Sequence, residues 1–146
     1  MQPAPVSTAR PSAAFIAASW FALVAGIGGF VMGLWNATMA LNEKGYYFTV
    51  LMFGLFAAIS LQKTVRDQLE KIPVTQLYYL LAWFATLLAV ALLLLGLWNA
   101  TLTLSEKGFY GMAFLLALFG AIAVQKNTRD VNMGAPGKTA VALDAE

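Results

Sequence analysis

Four stretches of this chain, at roughly 13–40, 45–62, 76–102 and 108–125, contain no charged residue and are dominated by Leu, Ala, Phe, Gly and Val. At about 1.5 Å per residue, even the shorter stretches, such as 45–62, reach across roughly 27 Å of hydrocarbon. Lipid tolerates no unpaired backbone groups, so segments of this length must be helices or barrel strands, and unbroken apolar runs lack the alternation of a barrel strand. The composition agrees, because 60% hydrophobic and 11% charged residues place most of the surface in lipid. The expected fold is an all-α membrane protein with four transmembrane helices. The ends, 1–11 and 131–146, are rich in Pro, Ala, Gly and Thr without apolar periodicity and read as mobile tails.

The second constraint is an internal repeat. Shifting the sequence by 63 residues aligns 20–67 with 83–130 without a gap, and 22 of the 48 positions are identical. The densest blocks are GLWNAT at 33–38 and 96–101, EKG at 43–45 and 106–108, and QKxxRD at 62–67 and 125–130. Ser12 and Thr75 stand at the same offset before their apolar runs, each a good N-cap. The organisation is a two-helix repeat over 12–67, a linker at 68–74 and a second repeat over 75–130. The first apolar run is too long for a signal-peptide core, and its counterpart lies mid-chain, so it is expected to stay in the membrane. Each unit contains two spans, so both copies should enter the bilayer in the same direction as a parallel repeat of two-helix hairpins.

Charge sets the expected orientation. Arg10, Lys63, Arg66, Lys71, Lys126, Arg129 and Lys138 fall on one side, and only Lys44 and Lys107 on the other. Short basic segments stay in the cytoplasm, which places both termini inside and the turns near 42–44 and 105–107 outside. Trp35, Trp98, Tyr46, Tyr47, Phe109 and Tyr110 then anchor the outer interface, and Tyr78 and Tyr79 the inner one. A net charge of +2 is too small and dispersed for a nucleic-acid partner. With neither Cys nor His, the chain has no disulfide, thiolate nucleophile, iron–sulfur ligand or imidazole base.

Three groups of residues merit attention. Asn36, Glu43 and Lys44, with counterparts Asn99, Glu106 and Lys107, lie at the outer ends of the first and third runs. If those helices continue into the turns, Asn36, Ala40 and Glu43 share one face, as do Asn99, Thr103 and Glu106. Glu43 is then expected to pair with Lys107, and Glu106 with Lys44, across the repeat. The competing reading of this cluster is a shallow cation or proton site. At the other end, Gln62, Lys63, Arg66 and Asp67 match Gln125, Lys126, Arg129 and Asp130. These form either a simple anchor or a face for lipid headgroups or a protein partner. Ala18, Ala22, Gly26, Gly29 and Gly33 line the first helix with small residues, and Gly29 to Gly33 is a GxxxG step. That face serves packing within the bundle or self-association. The sequons at Asn36 and Asn99 lie in or against the bilayer and are set aside.

The blocks GLWNAT, EKGYYF or EKGFYG, and QKTVRD or QKNTRD, present twice, resemble those of the YiaA/YiaB family of bacterial inner-membrane proteins, in the YiaA type that carries two YiaAB two-helix domains. The resemblance covers about 13–130. It implies an inner-membrane protein made of two copies of a two-helix domain, with no established biochemical activity, and it transfers no catalytic, metal or cofactor residue. Small size, minimal loops and no charge at the bilayer midplane favour a non-enzymatic structural or accessory protein, with membrane lipids and either copies of itself or a larger complex as partners. The alternative is an oligomeric conduit for ions or small solutes, which requires several copies around a pore.

Overall fold

A computed structural model describes residues 10–133, and these form four helices: α1 (Ala13–Asn36), α2 (Leu41–Leu69), α3 (Gln76–Asn99) and α4 (Leu104–Met133). All four are long and apolar enough to cross a membrane. The expectation of mobile tails falls mostly outside the described residues; within them, 131–133 continue α4.

Three of the four helices begin where a side chain accepts from a first-turn N–H. Ser12 Oγ accepts from Phe15 N at 3.2 Å, and Thr75 Oγ1 accepts from Tyr78 N at 3.4 Å. At α4, Thr103 and Glu106 form a reciprocal capping box: Thr103 N donates to Glu106 Oε2 at 2.9 Å and Glu106 N to Thr103 Oγ1 at 3.3 Å. At α2 only half of this box exists. Ala40 N donates to Glu43 Oε2 at 3.0 Å, and Ala40 has no hydroxyl to return the bond.

Both connections that leave α1 and α3 correct a boundary. The apolar runs continue to 40 and 102, yet α1 stops at Asn36 and α3 at Asn99, and the backbone turns extended at Ala37 (ψ 147°) and Ala100 (ψ 147°). Apolar length measures what lipid tolerates; the point of reversal is set by the cap of the next helix. The connection after α2 uses a Schellman-type closure. Ile72 N reaches Asp67 O at 2.8 Å, Lys71 N reaches Gln68 O at 3.1 Å, and Lys71 takes the left-handed φ of 59° that usually falls to glycine.

The helices pair across the repeat instead of within it. α1 packs mainly on α4 and α3 on α2, while α1 with α2, and α3 with α4, touch little. On the first interface Gly33 meets Tyr110, Gly26 meets Ala117, and Ser19 meets Asn127, so positions rise on α1 as they fall on α4. On the second, Gly96 meets Tyr46 and Tyr47, and Tyr46 Oη donates to Leu92 O at 2.5 Å. α2 and α4 meet at the centre, where the Tyr47 and Tyr110 rings stack at 6.2 Å and Gly54 faces Phe114. The expected hairpins are therefore opened and interlocked, each helix of one copy held by a helix of the other.

Glycine explains the unequal interfaces. A Cβ on Gly26 would meet Ala117 Cα at 2.7 Å, and a Cβ on Gly120 would meet Leu23 Cα at 2.7 Å, so these two glycines let the α1 and α4 backbones touch. Their counterparts on α3 and α2 are Ala89 and Ala57, both buried but each with a methyl group to accommodate. The core between the four helices is filled by Phe30, Leu51, Phe114, Leu93 and Ala117. Large apolar side chains such as Phe21, Trp35, Phe56, Leu87 and Phe119 point outward, as lipid-facing positions should.

Candidate functional sites at the two ends of the bundle

At the end formed by the 37–40 and 100–103 connections, the two polar triads do not assemble as the sequence suggested. α1 has ended before Glu43, so no continuous helical face joins Asn36 to it. Asn36 Nδ2 turns back to Met32 O and Asn99 Nδ2 to Leu95 O, each at 2.9 Å. The expected cross-repeat ion pairs are absent among the described residues. Glu43 and Glu106 are occupied as caps of their own helices, and Lys44 Nζ donates to Trp35 O at 3.3 Å within its own copy. Lys107 contributes only its backbone N–H to Thr103 O. The physical reason is local: a carboxylate at the third helical position is held by the free N–H at the helix start, where the dipole also favours it.

Two crevices open at this end. One, of about 640 Å³, is lined by Asn36, Thr38, Glu43, Glu106 and Tyr110 among others; its counterpart, of about 370 Å³, includes Glu43, Asn99, Thr101 and Tyr47. No group of three or more carboxylates that could hold a metal occurs among the described residues.

The opposite end, which carries residues 12 and 133, gathers the QKxxRD blocks. Lys63 pairs with Asp67 at 3.2 Å and Lys126 with Asp130 at 2.8 Å, both at helical i,i+4 spacing. Arg129 pairs with Glu70 across α4 and α2. Beneath them the pseudo-symmetry produces two related grooves. The larger, about 1120 Å³, lies between α1, α2 and α4 and is lined by Trp20, Ile59, Arg66 and Gln125; the other, about 830 Å³, lies between α2, α3 and α4 with Trp83, Ile122, Arg129 and Gln62 in the equivalent places. Among the described residues, five of the six buried polar side-chain atoms without a hydrogen-bond partner belong to residues lining these grooves: Arg66 Nε and Nη1, Gln62 Oε1, Gln125 Oε1 and Arg129 Nη1; the sixth is Asn127 Oδ1. Deeper in α4, Asn127 Nδ2 donates to Ser19 Oγ at 3.0 Å in a buried contact.

Of the small residues, Gly26 and Gly33 face α4, whereas Gly29 has only an ordinary contact with the Phe109 ring at 3.6 Å. Sequence reasoning missed Gly120, which mirrors Gly26 on the other side of the interface. Comparing Ala57 with Gly120 across the repeat was the available signal.

The chain is 60% identical over 139 residues to the inner membrane protein YiaA of Escherichia coli, covering 95% of this chain and 94% of that one. It is 42% identical over 62 residues to the uncharacterized membrane protein YubF of Bacillus subtilis, covering 42% of this chain and 71% of that one. With the inner membrane protein YiaB of Escherichia coli it shares 34% identity over 94 residues, 62% of this chain and 77% of that one. No solved structure matches it. The yiaA/B two helix domain matches at residues 15–67 and again at 78–130, bounding the two interlocked copies, and the chain belongs to that family.

Proposed function

We propose that this chain is a non-enzymatic structural or accessory protein of the bacterial inner membrane, with both termini in the cytoplasm and its two repeats inserted in parallel. The observation that carries the proposal is the distribution of polarity. Among the described residues the buried polar side chains are Ser19, Thr64 and Asn127, all toward one end, while the middle of the bundle is closed by Phe30, Leu51 and Phe114. A single copy therefore offers no polar stripe through the membrane and no converging nucleophile, base or metal ligands. The Lys and Arg imbalance supports the inward placement of the termini, since seven basic residues share their side and two oppose them. The similarity to an inner membrane protein over nearly the whole chain supports the compartment.

Such a protein acts through the surfaces it presents to lipid and to other membrane proteins. The test is its native mass when extracted from its own membrane in nanodiscs, with identification of what co-purifies. A monomer, a dimer or a stoichiometric foreign partner is expected. A homomeric ring of four or more copies that passes ions in reconstituted vesicles would overturn the accessory reading in favour of a conduit.

A further inference from the structure

The two inner grooves are equivalent by the 63-residue repeat except in one respect that concerns charge. Glu70 neutralises Arg129. The position equivalent to Glu70 in the second copy is 133, and there the chain has Met133, which lines the same groove as Arg66. Arg66 consequently lacks the acid its twin has. The other carboxylates at this end among the described residues are also engaged: Asp67 holds Lys63, and Asp130 holds Lys126. Against these three acids the described residues at this end carry Arg10, Lys63, Arg66, Lys71, Lys126 and Arg129, leaving a surplus of three positive charges. Arg66 is partly buried, and its Nε and Nη1, sealed from water and unsatisfied, are unfavourable unless an acceptor enters the groove.

The rest of the groove indicates what kind of acceptor. Below Arg66 its walls are Ile59, Leu55, Ile27 and Leu23, with half-exposed Trp20 at the side. From Arg66 to Leu55 the groove descends about 16 Å along α2, the depth of roughly one bilayer leaflet. An anion alone would leave that apolar length empty, and an alkyl chain alone would leave the guanidinium unanswered. Gln125 Oε1, also buried without a donor in this groove, suits a hydroxyl on the headgroup.

We propose that the groove between α1, α2 and α4 holds one anionic glycerophospholipid, its phosphate on Arg66 and an acyl chain along Ile59, Leu55 and Ile27. Both arginines also reach the groove between α2, α3 and α4, but that groove has Glu70 and Asp130 in its wall while the first has no carboxylate, so a phosphate is repelled there and it binds none. The inference rests on the membrane placement of the chain and is independent of whether it has protein partners.

Native mass spectrometry of the full chain, released from mild detergent containing phosphatidylglycerol or phosphatidylcholine of matched chains, tests it. One retained lipid per chain is expected, with phosphatidylglycerol favoured roughly tenfold, as loss of a charge-assisted hydrogen bond would imply. Arg66→Gln should abolish the preference. Met133→Glu should abolish it too while keeping Arg66, by supplying the acid that Glu70 gives Arg129. Lys63→Gln should leave it intact. Equal retention of the two lipids by the unaltered chain, a preference that survives both Arg66→Gln and Met133→Glu, or displacement of the lipid by millimolar inorganic phosphate would overturn the proposal.

Discussion

Replacing Gly26 with alanine adds a single methyl group, and its effect is set by what that methyl would meet. The nearest atoms are backbone: Ala117 N, Ala117 Cα at 2.7 Å and Ala113 O at 2.9 Å. Since ordinary van der Waals contact starts at 3.4 Å, α1 and α4 must part by about 0.7 Å at this level before the clash with the Ala117 α-carbon alone is relieved. A gap of that size forfeits roughly a quarter to a half of the dispersion energy of neighbouring contacts. In lipid, where apolar side chains gain nothing by leaving the solvent, such packing is the main attraction between helices. We therefore expect Gly26→Ala to destabilise the bundle by about 2–3 kcal/mol, against a helix-propensity gain of up to about 1 kcal/mol. Gly28, in the same helix but with open space around it, provides the internal control: Gly28→Ala should be neutral or slightly stabilising. The assay is reversible unfolding in mixed micelles with increasing denaturing detergent, followed by tryptophan fluorescence. Gly120→Ala should resemble Gly26→Ala, and the double variant should lose less than the sum because the helices have already separated. Equal stability of Gly26→Ala and Gly28→Ala would refute the close α1–α4 approach.

Three further substitutions follow from the caps and the buried polar pair. Ala40→Thr should complete the half-built capping box of α2 and stabilise the protein by about 0.5–1 kcal/mol in the same unfolding assay, while Thr103→Ala should lose a similar amount. Ser19→Ala leaves the buried Asn127 amide without its acceptor and should cost about 1–2 kcal/mol. At the closure of α2, Lys71→Val places a β-branched residue at φ 59° and should cost about 1–2 kcal/mol, whereas Lys71→Gly is tolerated; thermal melts of the two variants compared with the unaltered chain check this.

Much of this architecture was legible in the sequence because membrane helices are written in composition. Four uncharged runs demanded four helices, and the repeat was visible in identical blocks. Ser12 and Thr75 marked two helix starts because an N-cap needs only a local hydroxyl. The partner of each helix was not legible. A hairpin joined by four residues suggests that α1 packs on α2, but α1 chose α4 because Gly26 and Gly120 let those backbones touch, a match between positions far apart in sequence. The polar cluster around Glu43 and Glu106 was misread for a related reason. Periodicity extended α1 through the turn, whereas Glu43 belonged to the start of the next helix as its cap. At the opposite end the QKxxRD blocks drew attention by their likeness, yet the informative feature was the unlike pair just beyond them, Glu70 and Met133.

The interlocking of the two copies is tested most directly by disulfide trapping, which the absence of native cysteine makes clean. Ser19→Cys combined with Asn127→Cys joins two side chains already in contact across α1 and α4, while Ser19→Cys combined with Ser60→Cys would report a self-packed first hairpin. Oxidation in native membranes should yield an intramolecular crosslink in the first double variant and none in the second. A crosslink in the second double variant with none in the first would mean that each two-helix unit packs on itself, and would contradict the fold described above.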